Sequence, residues 1–222
     1  DGDLGEQAFE TLVGLSPDEY MLDADGYPSR AREILALDLD ADGLAIARDL
    51  GFELVERKSL AGLGITLDRL RLPDDQDMPN ALDRLSRSAP AAPFDYNHIF
   101  VLPEGEAASG GGGEALRPIG QPASGTGLRI AVIDTLPDRT HPALVRQKLM
   151  VRDFAKGAGR DTSHATAVTS ILAGYDPAAD YSGLAPGASI FAANIFSVDR
   201  GGQPVTDAAT MIEALDWLAR EK

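Results

Sequence analysis

Two short segments carry the residues best suited to acid–base chemistry. Asp134 closes the apolar run Ile130-Ala131-Val132-Ile133, and His164 opens the run Ala165-Thr166-Ala167-Val168. The first reads as a strand and the second as a helix, with Val168, Ile171 and Leu172 anchoring it to a core. In an open parallel sheet, ligands gather beyond the carboxyl ends of the strands, where Asp134 sits. An ionised carboxylate only accepts hydrogen bonds, so it takes one ring N–H of an imidazole and leaves the other nitrogen to remove a proton from a hydroxyl. Asp before His is one of the chain orders in which an Asp–His–Ser triad occurs. Taken singly, each residue has an ordinary reading as a cap or as polar surface; it is their conjunction that points to catalysis.

The elements that must position this pair lie behind a composition break. Residues 103–127 hold a four-glycine run, Gly110 to Gly113, amid Ser, Ala, Glu and Pro, and no periodic apolar face runs through them. They read as a flexible tether between two folded units. Behind it, strands at 128–134 and 189–196 alternate with helices at 164–173 and 207–220. Such apolar strands imply a parallel sheet covered on both faces. The last helix presents Met211, Ile212, Leu215 and Leu218 on one side, with Asp207 early and Arg220 late, matching the helix dipole. So few parallel strands would leave an apolar edge exposed, which reads as part of a longer polypeptide.

Ahead of the tether the order is strand (33–37), helix (40–50, stopped by Gly51), strand (52–57), strand (63–72), helix (after Asp77 as N-cap) and strand (94–102). That βαββαβ order predicts a ferredoxin-like α+β domain of about 70 residues. Residues 1–30 stay unassigned beyond a helix around 7–13. The expected division is therefore 1–30, 31–102, 103–127 and 128–222.

Composition narrows the partners. The 222 residues carry a formal charge of -15, and 24 of the 35 acidic groups fall in residues 1–127 against 10 of the 20 basic ones. A front half so negative repels phosphate backbones and argues against nucleic acid as a partner. There is no cysteine, which excludes disulfides, thiolate zinc sites and a cysteine nucleophile. No run approaches the ~20 apolar residues of a membrane span, and the acidic first residues do not read as a signal peptide.

The rear segments together resemble the subtilisin-like serine proteases. Val132-Ile133-Asp134-Thr135, followed by Thr140-His141-Pro142-Ala143-Leu144, is similar to the family's aspartate motif. Ser163-His164-Ala165-Thr166-Ala167-Val168 is similar to its histidine segment, and Gly183-Leu184-Ala185-Pro186-Gly187-Ala188 to the loop that follows. The resemblance covers residues 128–222. It implies a partial three-layer subtilisin-like sheet, Asp134 and His164 as catalytic residues, and Gly201, Gly202 and Gln203 as main-chain binders of an extended polypeptide substrate. It gives His141 a turn-supporting role. The chain departs from the family's pattern at Leu136, Ala165 and Ala167, and no Gly-Thr-Ser segment or oxyanion-hole asparagine is present. The 222 residues would therefore be inactive alone, needing the carboxy-terminal remainder of a catalytic domain as partner.

The front domain resembles the family's propeptide, which implies an intramolecular inhibitor and folding chaperone, a secreted zymogen, and export to the periplasm or extracellular space. The segment at 102–106 would then reach the substrate groove as a product-like strand. No cofactor is required. Calcium has one candidate set, Asp38, Asp40, Asp42, Gly43 and Asp49 at EF-hand spacing, echoed by Asp23-Ala24-Asp25-Gly26 and opposed by the helix that starts there. His98, among aromatic and branched residues, reads as a satisfied core histidine. Two other classes compete: a nonenzymatic regulatory or binding module on the same scaffold, and a nucleotide-binding domain. The second is disfavoured because Leu136-Pro137-Asp138 lacks the glycines that let phosphate approach.

Overall fold

The computed structural model describes residues 2–73, 76–102, 124–156 and 161–221. Most of the expected tether, 103–123, lies outside them. The chain is mixed α/β, with a curled antiparallel sheet and a small parallel one. Its elements are α1 (Gly2–Leu15), β1 (Tyr20–Leu22), β2 (Pro28–Leu37), α2 (Ala41–Asp49), β3 (Glu53–Leu60), β4 (Ile65–Arg71), α3 (Met78–Ser88) and β5 (Phe94–Val101). Then follow β6 (Arg129–Asp134), β7 (Lys148–Asp153), α4 (Ser163–Ala173), β8 (Tyr175–Asp176), a 3₁₀ turn, β9 (Tyr181–Ser182), β10 (Ser189–Asn194), β11 (Ser197–Val198), β12 (Pro204–Asp207) and α5 (Ala208–Arg220).

Two compact units emerge. The first holds residues 1–100 together with 206–220, and the second 101–205 with 221–222. Helix α5 thus groups with the front unit, whereas linear order assigned it to 128–222. Residues 1–30 join the front unit too, because β1 forms a hairpin on β2.

In the first unit the sheet runs β5-β2-β4-β3, with antiparallel neighbours. Side chains alternate across a strand, so Ile34 and Ala36 join Leu44, Ala47, Met78 and Leu85 under α2 and α3. Leu35 and Leu67 on the opposite face pack against Ala209 of α5, with Ile212 beside them. That is why 34–37 is apolar at every position: both faces of β2 are covered. Strand β2 begins five residues before the expected 33 because a register shift lies between Ser29 and Ile34. Arg32, at φ 60°, is held in that irregularity by its guanidinium, which donates to the carbonyls of Leu72, Pro73 and Gln76.

Caps set the helix boundaries. Asp40 and Asp77 accept the N–H groups of Gly43 at 2.7 Å and Asn80 at 3.0 Å, the role of an N-cap side chain. Gly51, at φ 95°, takes the left-handed conformation that ends α2.

The second unit is built on three parallel strands in the order β6-β10-β7. Asn194 of β10 aligns with Asp134 on one side and Asp153 on the other. Helix α4 packs Val168, Leu172 and Ala173 onto Val132, Ile190 and Ala192. Ile171, expected as an anchor, is instead 55% exposed. Its position is rotated 100° from Leu172, off the stripe that faces the sheet. The loop after α4 satisfies carbonyls that the helix leaves without partners. Leu184 N–H donates to Ile171 O at 2.9 Å and Ala185 N–H to Leu172 O at 2.7 Å. Gly183 leaves no room for a side chain, since a Cβ would lie 2.7 Å from Ser170 O and 2.8 Å from Gly174 N. Gly183→Ala is therefore expected to destabilise the second unit by about 1–3 kcal/mol. Faster amide exchange along α4 would register it, and unchanged exchange would refute the close packing.

Residues 124–127, read as the end of the tether, are ordered. Ser124 O accepts Gly187 N–H at 2.7 Å, and Gly125 O accepts Leu128 N–H at 2.8 Å.

Candidate functional site

Asp134 is the last residue of β6, and its side chain is 8% exposed. His164 is the second residue of α4, with a side chain 46% exposed. Although 30 positions apart, they meet: the ring Nδ1 lies 2.8 Å from both carboxylate oxygens. The carboxylate also accepts the N–H of Thr135 on Oδ1 at 2.6 Å. An acceptor-only carboxylate on Nδ1 places the ring proton there and leaves Nε2 as the acceptor. The arrangement is a buried, oriented carboxylate behind a half-exposed imidazole.

Several residues that carried no signal of their own hold this geometry. Thr135, itself buried, accepts Ala165 N–H on its hydroxyl at 3.1 Å. Thr166 Oγ1 accepts Asp138 N–H at 2.8 Å, and Leu136 N–H donates to Asp161 O at 3.2 Å. Asp161 stands at the start of α4. Burial pushes its carboxyl up, but the N–H and hydroxyl of Ser163, with the N–H groups of His164 and Thr162, outweigh that and hold it below the usual aspartate value. At the carboxyl edge of the parallel sheet, buried Asn194 donates to Asp153 Oδ1 at 2.7 Å and accepts Phe196 N–H at 3.2 Å.

Gly201, Gly202 and Gln203 form the turn between β11 and β12. Gly202 is at φ 86°. Its N–H donates to Asp199 O, while Gln203 N–H donates to Asp199 Oδ1 and the Gln203 carbonyl accepts Asp199 N–H. These main-chain groups thus serve the turn. The main-chain bond to the segment at 102 forms one residue later, where Leu102 N–H donates to Pro204 O at 2.9 Å.

The remaining histidines have partners of their own. His141 Nδ1 accepts Ala143 N–H at 3.3 Å, supporting the turn around Pro142. His98 is half-buried instead of in the core, with Nδ1 3.7 Å from Asp23 and Nε2 3.4 Å from Asp95. A cavity of about 750 Å³ beside α4, with Asp138, His141, Ser163 and Tyr181 in its lining, does not include the dyad.

The EF-hand spacing at Asp38 to Asp49 has another use. Asp38 accepts Thr66 N–H at 2.7 Å, Asp40 caps α2, and the helix runs to Asp49. A helical segment cannot wrap an ion as that loop must. Asp23 likewise accepts Asp25 and Tyr27 N–H groups in a turn. Among the described residues no group of three or more potential ligands is placed to hold a metal ion. No described helix is long and apolar enough to cross a membrane.

No protein-family model matches this chain.

Proposed function

We propose that this chain supplies the Asp–His half of a subtilisin-like serine endopeptidase together with a propeptide-like front domain. The observation that carries the reading is the bond of His164 Nδ1 to buried Asp134 at the carboxyl edge of a parallel sheet. In the reaction, Asp134 holds the imidazole in its Nδ1–H form and stabilises the imidazolium. His164 Nε2 removes the proton of a serine hydroxyl as that oxygen attacks the peptide carbonyl, then returns it to the leaving amine. On this reading the serine and the oxyanion donors would approach the exposed face of the ring. The sheet order β5-β2-β4-β3 with its two crossover helices supports the ferredoxin-like reading of the front domain. The Leu102 to Pro204 bond supports a tail that enters the substrate groove as a paired strand, using main-chain recognition. An exported zymogen follows from that reading.

A fluorophosphonate probe should label the full-length polypeptide at its serine and fail to label the His164→Ala variant. Undiminished labelling of that variant would reject the role given to His164. No labelling of the parent would favour the nonenzymatic module.

A further inference from the structure

In the first turn of α4 the Asp161 carboxylate takes the Ser163 N–H at 3.0 Å, but the N-cap residue leaves the N3 donor to a different partner. Thr162 at the N-cap position has φ -119° and ψ -9° and makes no side-chain bond to the helix. The N3 donor that a cap would take belongs to Ala165. That donor goes instead to the hydroxyl of Thr135, thirty residues earlier and directly after Asp134. Thr166 acts in the reverse direction, its hydroxyl accepting the N–H of Asp138 from the loop behind β6. Each element thus carries a threonine that satisfies the other's main chain. Both bonds flank the Asp134–His164 pair, and Thr135 touches both partners: its N–H fixes the carboxylate and its Oγ1 fixes the helix that bears the ring.

We propose that Thr135 and Thr166 are positioning residues, a reciprocal clasp in which Thr135 caps the histidine helix from a distance and so sets the Asp134 to His164 separation. The clasp deepens the hydrolase reading, but its test needs no hydrolysis. The N–H groups of that first turn have no intrahelical acceptor; Asp161 takes that of Ser163 from just ahead of the helix, which holds the turn but does not tie it to Asp134. Thr135, directly after the carboxylate, makes that tie through Ala165, so that carboxylate and helix start move together. A drift of 1 Å at such a pair is enough to degrade proton transfer.

Thr135→Val keeps the shape and removes the acceptor; Thr135→Ser restores it. In the 222-residue chain, Thr135→Val should speed exchange of the Ala165 amide about fivefold, the worth of one cap. It should also broaden the slowly exchanging Nδ1 proton of His164, read by imidazole ¹⁵N NMR, while Thr135→Ser keeps both as in the parent. Thr166→Val should free the Asp138 amide and weaken the same Nδ1 signal, which keeps the test open where Thr135→Val does not fold. Parental exchange and a parental Nδ1 signal in the valine variants would overturn the clasp, as would a serine variant indistinguishable from valine. Probe labelling of the full-length polypeptide decides the hydrolase reading separately: a labelled parent with an unchanged Nδ1 proton in the valine variants defeats the clasp alone.

Discussion

Replacing Asp134 by asparagine is expected to lower kcat for peptide hydrolysis by the full-length polypeptide about 10⁴-fold, with KM nearly unchanged. On the hydrolase proposal the size is that of the same change in a characterised Ser-His-Asp triad, and corresponds to about 5 kcal/mol of transition-state stabilisation. The local geometry says why. Thr135 N–H donates to Oδ1 at 2.6 Å, so the asparagine keeps its carbonyl oxygen there and turns its NH₂ towards the ring. Nδ1 then faces a donor and must accept, which moves the ring proton to Nε2, the atom that has to remove the serine proton. The base is present but in the wrong tautomer. On the proposed reading the Asp134 carboxylate touches the ring and not the substrate, so KM holds while kcat falls. Peptide cleavage rates at saturating substrate measure it; a loss smaller than tenfold would mean that Asp134 does not orient His164.

The second large effect concerns the front unit. Glu33 is 2% exposed, and Arg69 grips it with two bonds of 2.9 and 2.8 Å. Asn97 donates to the same carboxylate at 2.6 Å and accepts Ala209 N–H at 3.0 Å, linking the buried pair to the start of α5. Burial works against the Arg69 charge, but the bonds and charge of Glu33 hold its pKa above the ordinary arginine value. Removing Glu33 leaves Arg69 its 3.0 Å bond to the partly exposed Glu56 but takes away its buried partner and that of Asn97, at a cost towards the low end of the about 3–5 kcal/mol of a broken buried pair. Glu33→Ala should therefore remove a large share of a domain stability that is typically only about 5–15 kcal/mol. Trp217 is the chain's one tryptophan, on α5 and 8% exposed, so its fluorescence follows this unit. Its urea midpoint should fall sharply in Glu33→Ala. It should stay in place in Asp83→Ala, where the partner Arg87 is 77% exposed and a solvated pair contributes little. A midpoint for Glu33→Ala equal to the parent's would refute the account.

Much of the framework was legible because it rests on local rules. Asp40, Asp77 and Gly51 end their helices as cap chemistry dictates, and the six front elements occur in the expected order. Strand β7 escaped notice because it is an edge strand with polar and exposed positions, so it lacks the continuous apolar run of a covered strand. Helix α5 was found, but its buried face was misjudged. Leu215, expected on the apolar side, is 42% exposed, while Ala209, Ala214, Asp216 and Trp217 are buried. Asp216 can be buried because it accepts Gly62 N–H at 2.7 Å and pairs with Arg220 at 2.8 Å. No hydropathy pattern anticipates that bond, since Gly62 is 154 residues away.

The sequence alone determined the order of the six front elements, the ends of the capped helices, and which two residues could act as carboxylate and base, because capping, periodicity and residue chemistry operate over a few neighbouring positions. Only the tertiary structure decided that Asp134 and His164 touch, that threonines tie their two elements together, and that α5 belongs with the front sheet. Those outcomes depend on hydrogen bonds and packing between segments 28 or more residues apart, whose energies exist only once the chain has brought them together.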